Sequence, residues 1–192
     1  MVSVTSPVRR SRTSDPDRRE RIARAAMAVI SRRGVDGLTH RAVAAEAEVP
    51  LGSTTYHFAT LDDLLEVALD RAAEDNIRLV RAWASGLPVD ADLARALADL
   101  VVEHLNDQRP HTVVEYDLYI AALHRPRLRA LSTAWDDALI EIFSARTDPV
   151  TGRVLAAMFC GLLVQEAIAD PPSTVDELDR LFRRVIEGRT AP

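Results

Sequence analysis

Apolar residues in this 192-residue chain recur at spacings of three and four almost throughout, and no stretch alternates apolar and polar side chains as a strand would. The pattern predicts an all-α protein. Ile22, Ala26, Val29 and Ile30 share one face of a first helix that starts at Ser14 or Asp15. Ser14 and Asp17 form an S-x-x-D capping box there, Pro16 is tolerated in the first turn, and Gly34 and Gly37 end the helix. Thr39 then caps a short helix with a small apolar face of Ala42, Val43 and Ala45 to Ala47. A turn falls at Glu48, Val49 and Pro50, and a second short helix begins at about Pro50. Thr60 and Asp63 form another capping box, opening a long helix through Leu64, Leu65, Ala68, Leu69 and Ala72 to about Ala84; Gly86 and Pro88 end it.

From Asp90 the chain reads as five more helices. Leu93, Leu97, Leu100 and Val101 mark one that ends near Asn106; the next runs from about Thr112 to Leu123. Pro126 starts a third, with Leu128, Leu131, Trp135, Leu139, Ile142 and Phe143. Pro149 starts a fourth that is apolar almost all round from Val154 to Val164, a run too short to cross a membrane. A helix of that kind has to be covered on both sides, by its own core and by something else. The last helix, from Thr174 to about Glu187, carries Val175, Leu178, Leu181, Phe182, Val185 and Ile186 at helical spacing.

Charge adds a division that the helical pattern does not. All 24 basic residues are arginine and the net charge is −5, yet residues 1–58 carry +4 and the remainder −9. Such a separation fits a head that meets phosphates and a body that does not. Residues 1–14 have no periodicity and carry Arg9, Arg10 and Arg12, so they read as a disordered basic arm, either solvated or lying along DNA. The same two readings apply to Arg18, Arg19 and Arg21. The single cysteine, Cys160, excludes an internal disulfide, and with no signal peptide or long apolar span the expected location is cytoplasmic.

Residues 39–58 are the build of a helix-turn-helix, whose second helix enters the major groove. Val49, Gly52, Ser53, Tyr56, His57 and Phe58, followed by Thr60 and Leu64, resemble the signature of TetR-family regulators, V-S-x-G-T-L-Y-Y-H-F-x-[SN]-K-E-x-L, in register over roughly residues 16–70. Gly52, Ser53, Thr54 and Thr55 are expected on the exposed start of the reading helix, where short side chains approach bases and phosphates. Resemblance implies phosphate contacts for Tyr56 and His57, and Phe58 reads as core. Pro50, Thr54, Thr55 and Leu61 depart from the signature's Ser, Leu, first Tyr and Lys; Arg41 is a candidate to replace the lost charge.

The resemblance implies a DNA-binding head over residues 15–59, an effector-binding and dimerisation body over 60–192, and about nine helices in all. It implies a homodimer through the last two helices, with Val154, Met158, Gly161, Leu162, Leu178, Leu181, Phe182 and Val185 as candidates; intramolecular packing is the competing reading of the same residues. A two-fold dimer would set its reading helices about 34–36 Å apart on palindromic double-stranded DNA. It also implies a small-molecule effector site inside the body, for which Trp83, His104, Glu115, Tyr116, Tyr119, Trp135, Met158 and Gln165 are candidates, each of which also has a plain core or surface reading.

Three functions are compatible with these residues: a ligand-released repressor, a helical enzyme, and a helical interaction module without DNA binding. The enzyme is disfavoured. His104, His111 and His124 lack metal-ligand spacing, Cys160 lies in an apolar run, and no nucleophile motif occurs, so no metal or cofactor is expected.

Overall fold

The computed structural model describes residues 16–188. Among them the chain forms nine α-helices and two 3-10 turns, with no strand: α1 (Pro16–Arg33), α2 (His40–Glu46), α3 (Leu51–His57), α4 (Leu61–Gly86), α5 (Leu93–Asn106), α6 (Arg109–Ala121), α7 (Arg129–Ser144), α8 (Pro149–Ile168) and α9 (Val175–Glu187). The turns Val35–Gly37 and Pro126–Leu128 lead towards α2 and α7. The basic arm and the Ser14 capping box lie outside the described residues. Helix α6 starts three residues before the predicted Thr112, because Pro110 occupies its first turn, where a missing N–H leaves no bond unmade.

Local chemistry sets the helix-turn-helix. Thr39 accepts the Ala42 N–H at 3.0 Å as the cap of α2. At the far end, Val49 N–H bonds Ala44 O and Glu48 N–H bonds Ala45 O, a Schellman closure. That closure puts Glu48 at φ 53°, in the left-handed region that glycine usually fills. Phe58 ends α3 and is buried in the head core, with the Arg19 guanidinium 5.0 Å above its ring. One of the open arginines is thereby assigned: Arg19 covers Phe58.

Two hydrophobic cores follow. The first joins Ile22, Ala26, Val29 and Ile30 of α1 to Val43, Phe58, and Leu64 to Ala72 of α4, and it is closed by Val114 and Leu118 of α6 and by Leu128. The second joins Leu97, Leu100 and Val101 of α5 to Trp135, Leu139 and Phe143 of α7, Leu155, Phe159 and Leu163 of α8, and Leu178 and Phe182 of α9. Helix α4 belongs to both, contributing Ala73 and Val80 to the second. Its ends are held by side chains. Arg127 bonds Asp63 at 3.0 Å and Glu66 at 2.9 Å beside the Thr60 capping box, and Arg146 donates to the open Ala84 carbonyl of the last turn and to the Leu87 and Pro88 carbonyls just beyond it.

Several interface candidates turn out to be intramolecular. Leu178, Phe182 and Val185 follow one line along α9, and that line packs into the second core, where the first two are fully buried. Leu162 is also buried there, so these positions are core and not free surface. Leu181 lies off the line and is exposed. On α8, Val154 is 45% exposed, and Gly161 has no atom within 4 Å of the space a Cβ would fill. Gly152 is the close-approach glycine instead: a Cβ there would lie 2.5 Å from the Ser144 nitrogen of α7. Helix α8 as a whole reaches 20 residues, long and apolar enough by length and composition to cross a membrane, but Leu155, Phe159 and Leu163 pack into the second core.

Replacing Glu48 by glycine should relieve the left-handed residue and raise stability by roughly 0.5–1 kcal/mol, less than the full penalty because glycine loses more backbone entropy on folding. Thermal unfolding followed by circular dichroism checks this, and an unchanged or lowered midpoint would remove the strain at Glu48.

Candidate DNA-reading surface and effector cavity

Helix α3 presents Leu51, Gly52, Thr55 and Tyr56 to solvent, on adjoining positions of one face. Tyr56 is 78% exposed, and its ring meets the half-buried His57 edge to face at 5.1 Å between centroids. Ser53 is half-buried. Thr54 departs from expectation. It is fully buried and donates its hydroxyl to Leu51 O at 2.8 Å, because the fourth residue of so short a helix turns onto the head core. Thr54 therefore supports the reading helix from behind and has no surface to offer a base. Leu51 was missed by a search for polar readers, yet it is exposed at the helix start, and an apolar side chain there offers contact to a thymine methyl.

Arg41 is exposed on α2 and makes no ion pair among the described residues. Arg32 of the head pairs with Glu46, and Arg71 of α4 pairs with Glu20 of α1.

The effector candidates separate into distinct environments. His104 and Glu115 line a cavity of about 410 Å³ between α4, α5 and α6, together with Asp75, Asn76, Gln108, His111 and Thr112. Tyr116, Tyr119 and Trp135 instead form an aromatic cluster between α6 and α7, with ring centroids 5.6–6.4 Å apart. Tyr119 donates to Asp136 at 2.9 Å. Trp83 packs edge-on against Phe143, and Met158 packs against the second core. Gln165 is exposed on α8, which removes it from a buried pocket.

Asn76 was not foreseen. The signal was present: it continues the buried line Leu69, Ala72, Ala73 along α4, where an amide stands out among apolar residues. His111, Gln108 and Thr112 gave no comparable signal, since only the fold brings the start of α6 to α4.

Burial governs the cavity's electrostatics. Glu115 is 1% exposed, and desolvation pushes its carboxyl up to about 8 despite the Asn76 N–H that bonds its Oε2 at 3.0 Å. Desolvation likewise depresses the His104 imidazole, whose Nδ1 lies 2.8 Å from Leu100 O. Both groups are therefore neutral at neutral pH. Burial also drives the Tyr116 phenol upward and the Cys160 thiol to about 11, so neither is a nucleophile under ordinary conditions.

A helix-turn-helix head joined through one long helix to a helical body with a half-open cavity is the architecture of a DNA-binding transcriptional regulator. Comparison with known proteins agrees. Residues 22–68 match the family described as bacterial regulatory proteins, tetR family, and residues 88–188 match the tetracyclin repressor-like C-terminal domain. The chain is similar to the multidrug binding protein EbrR in its complex with ethidium, at 45% identity and a TM-score of 0.80, covering 90% of this chain and 99% of that one. It is similar to a TetR-family member from Streptomyces coelicolor A3, at 44% identity and a TM-score of 0.79, over 89% and 99% of the two chains. The HTH-type nicotine-responsive transcriptional repressor HdnoR of Paenarthrobacter nicotinovorans is 26% identical over 132 residues, 68% of either chain. This chain belongs to the TetR family of bacterial regulatory proteins.

The buried Glu115 predicts a pH signature of folding. Its folded value is raised above the unfolded one, so the native state binds the extra proton between the two. Stability is then greatest below the unfolded value and falls as pH rises towards 8, by on the order of 1 kcal/mol per pH unit for a single group. Denaturant melts from pH 5 to 8.5 on the wild type and on Glu115→Gln measure it. Equal slopes in the two proteins would mean that Glu115 ionises freely.

Proposed function

We propose that this chain is a homodimeric repressor that holds a palindromic operator through α3 and leaves it when a small molecule fills the cavity beside Glu115. The exposed face of Gly52, Thr55 and Tyr56, carried on a buried head core, is the observation that carries the reading. Residues 15–59 act as the head and 60–192 as the body. The phenol of Tyr56 and the imidazole of His57 contact phosphates, and Gly52, Thr55 and Leu51 lie against bases. Arg41 supplies a phosphate contact from α2. The protein works where the DNA is, in the cytoplasm. EbrR with its ethidium complex and HdnoR with its nicotine response support a ligand-regulated repressor.

Helix α6 supports the coupling of the two sites. One of its faces lines the cavity with His111, Thr112 and Glu115, and another packs Val114 and Leu118 into the head core. A ligand that displaces the first face moves the second, and with it the heads. The clamp of Arg127 on Asp63 and Glu66, with Arg125 3.5 Å from Asp62, ties the α6–α7 loop to the start of α4 on the same route.

The dimer forms across the outer face of α8. Val150, Val154, Ala157, Gly161 and Ile168 follow one helical line there, all of them exposed except the half-buried Gly161, and Leu181 of α9 stands exposed in the neighbouring helix. Without a partner this line leaves valines and an isoleucine in water.

Binding to the DNA beside its own gene, with footprinting and varied salt, tests the central reading. A protected palindrome whose affinity falls with salt is expected, and salt-independent or sequence-blind binding would refute it. Tyr56→Ala should weaken every DNA sequence by about five- to tenfold, the loss of about one hydrogen bond, while the fold stays intact. Gly161→Arg on the open α8 face should release folded monomers in sedimentation, because the added side chain has room in the single chain and none against a partner. A normal dimer from that variant would place the interface elsewhere.

A further inference from the structure

We propose that α3 selects its operator by thymine methyl groups, met by the Leu51 side chain and the γ-methyl of Thr55, with no hydrogen bond from this helix to a base edge. This rests on the operator-holding role given to α3 above and names what that face selects.

Side-chain chemistry along α3 carries the inference. The helix reads LGSTTYH and holds none of the Arg, Lys, Asn, Gln, Asp or Glu side chains that hydrogen-bond guanine, adenine or cytosine edges specifically. Its two threonine hydroxyls are spent on the helix itself. Thr54 is fully buried and donates to Leu51 O at 2.8 Å. Thr55 is exposed, yet its hydroxyl donates back to Gly52 O at 3.4 Å, which leaves the γ-methyl as the free end of that side chain.

The placement of these groups divides the helix surface. At about 100° per residue, the order around α3 is Leu51, Thr55, Gly52, Tyr56, Ser53 and His57. Tyr56, Ser53 and His57 form a polar edge suited to phosphates, and Leu51 with Thr55 forms an apolar edge on the other side. The exposed Pro50 precedes Leu51 and extends that edge. Between the two edges Gly52 has open space where a Cβ would stand, so the bare backbone can come close to the floor of the groove. Leu51 and Thr55 are one turn apart, about 5–6 Å between Cβ atoms, and successive base pairs are about 3.4 Å apart, so two neighbouring pairs can meet the apolar edge. Thymine is the base that offers such an edge an apolar partner in the major groove, its C5-methyl. A guanine or cytosine held against Leu51 would lose water from its polar groups and gain no partner for them.

Selection of binding sites from random duplex DNA with the full-length protein supplies the probe. The expected product is a palindrome with adjacent T·A pairs in each half. Deoxyuridine in place of one of those thymines removes the methyl alone and should weaken binding about fourfold per methyl. Changing the pair to C·G should weaken it too, and 5-methylation of that cytosine should recover most of the loss, because the methyl returns while the hydrogen-bonding groups stay those of C·G. Thr55→Ser, which keeps the hydroxyl and drops the methyl, should no longer distinguish thymine from deoxyuridine at one position, and Leu51→Ala should lose the distinction at its neighbour. Thr55→Val, which keeps the methyl, should still make it. A selected palindrome that binds equally well with deoxyuridine, a 5-methylcytosine duplex no better than the cytosine one, or Thr55→Ser and Leu51→Ala variants that both discriminate as the wild type does would each overturn the methyl reading and leave the repressor standing. If no sequence is enriched, the operator-holding role of α3 falls, and this inference falls with it.

Discussion

One apolar stripe along α4 holds the molecule together. The helix spans 26 residues, about 39 Å, and its buried line runs from Leu64 to Val80 without a break. The first half closes the head core against α1 and α6; the second half enters the body core beside α5 and α7. With a capping box and Arg127 at its start and Arg146 at its end, the helix is a rigid member that two cores must accommodate at once. Packed interiors do not deform continuously, so a change of tilt at one core is felt at the other.

Helix α6 makes that shared member responsive. Its residues are divided among three environments: Val114 and Leu118 face the head, Thr112 and Glu115 face the cavity, and Tyr116 and Tyr119 meet Trp135 of α7. The polar face is the costly one. Glu115, Asn76 and His104 are buried with acceptor atoms unmatched, a local expense that the two apolar cores offset.

The outer surfaces follow from the same economy of helices. Helix α8 is apolar on every side because its inner line fills the body core and its outer line, from Val150 to Ile168, remains uncovered. Helix α3 is too short to bury more than Thr54 and the flanking Phe58, and so leaves most of its length exposed. Both features are consequences of length and periodicity before they are functional ones.

How much of this was legible depends on the range of the interaction involved. Helix order, the caps at Thr39 and Thr60, the turn at Glu48 and the buried Phe58 depend on residues a few positions apart, and the chain alone specified them. The family resemblance was equally local, a run from Val49 to Leu64. Which face of each helix turned inward was not local. Thr54 read as exposed, and Leu178 and Phe182 as either interface or core, because their spacing permits either side; only the docking of α3 on the head and α9 on α5 chose between them. The cavity was less legible still. His104 and Glu115 could be named singly, but Asn76 and His111 join them across α4 and α6 only when both helices are packed. Periodicity of the sequence determined the helices and the reading motif, whereas long-range packing, which no spacing encodes, decided what lies between them.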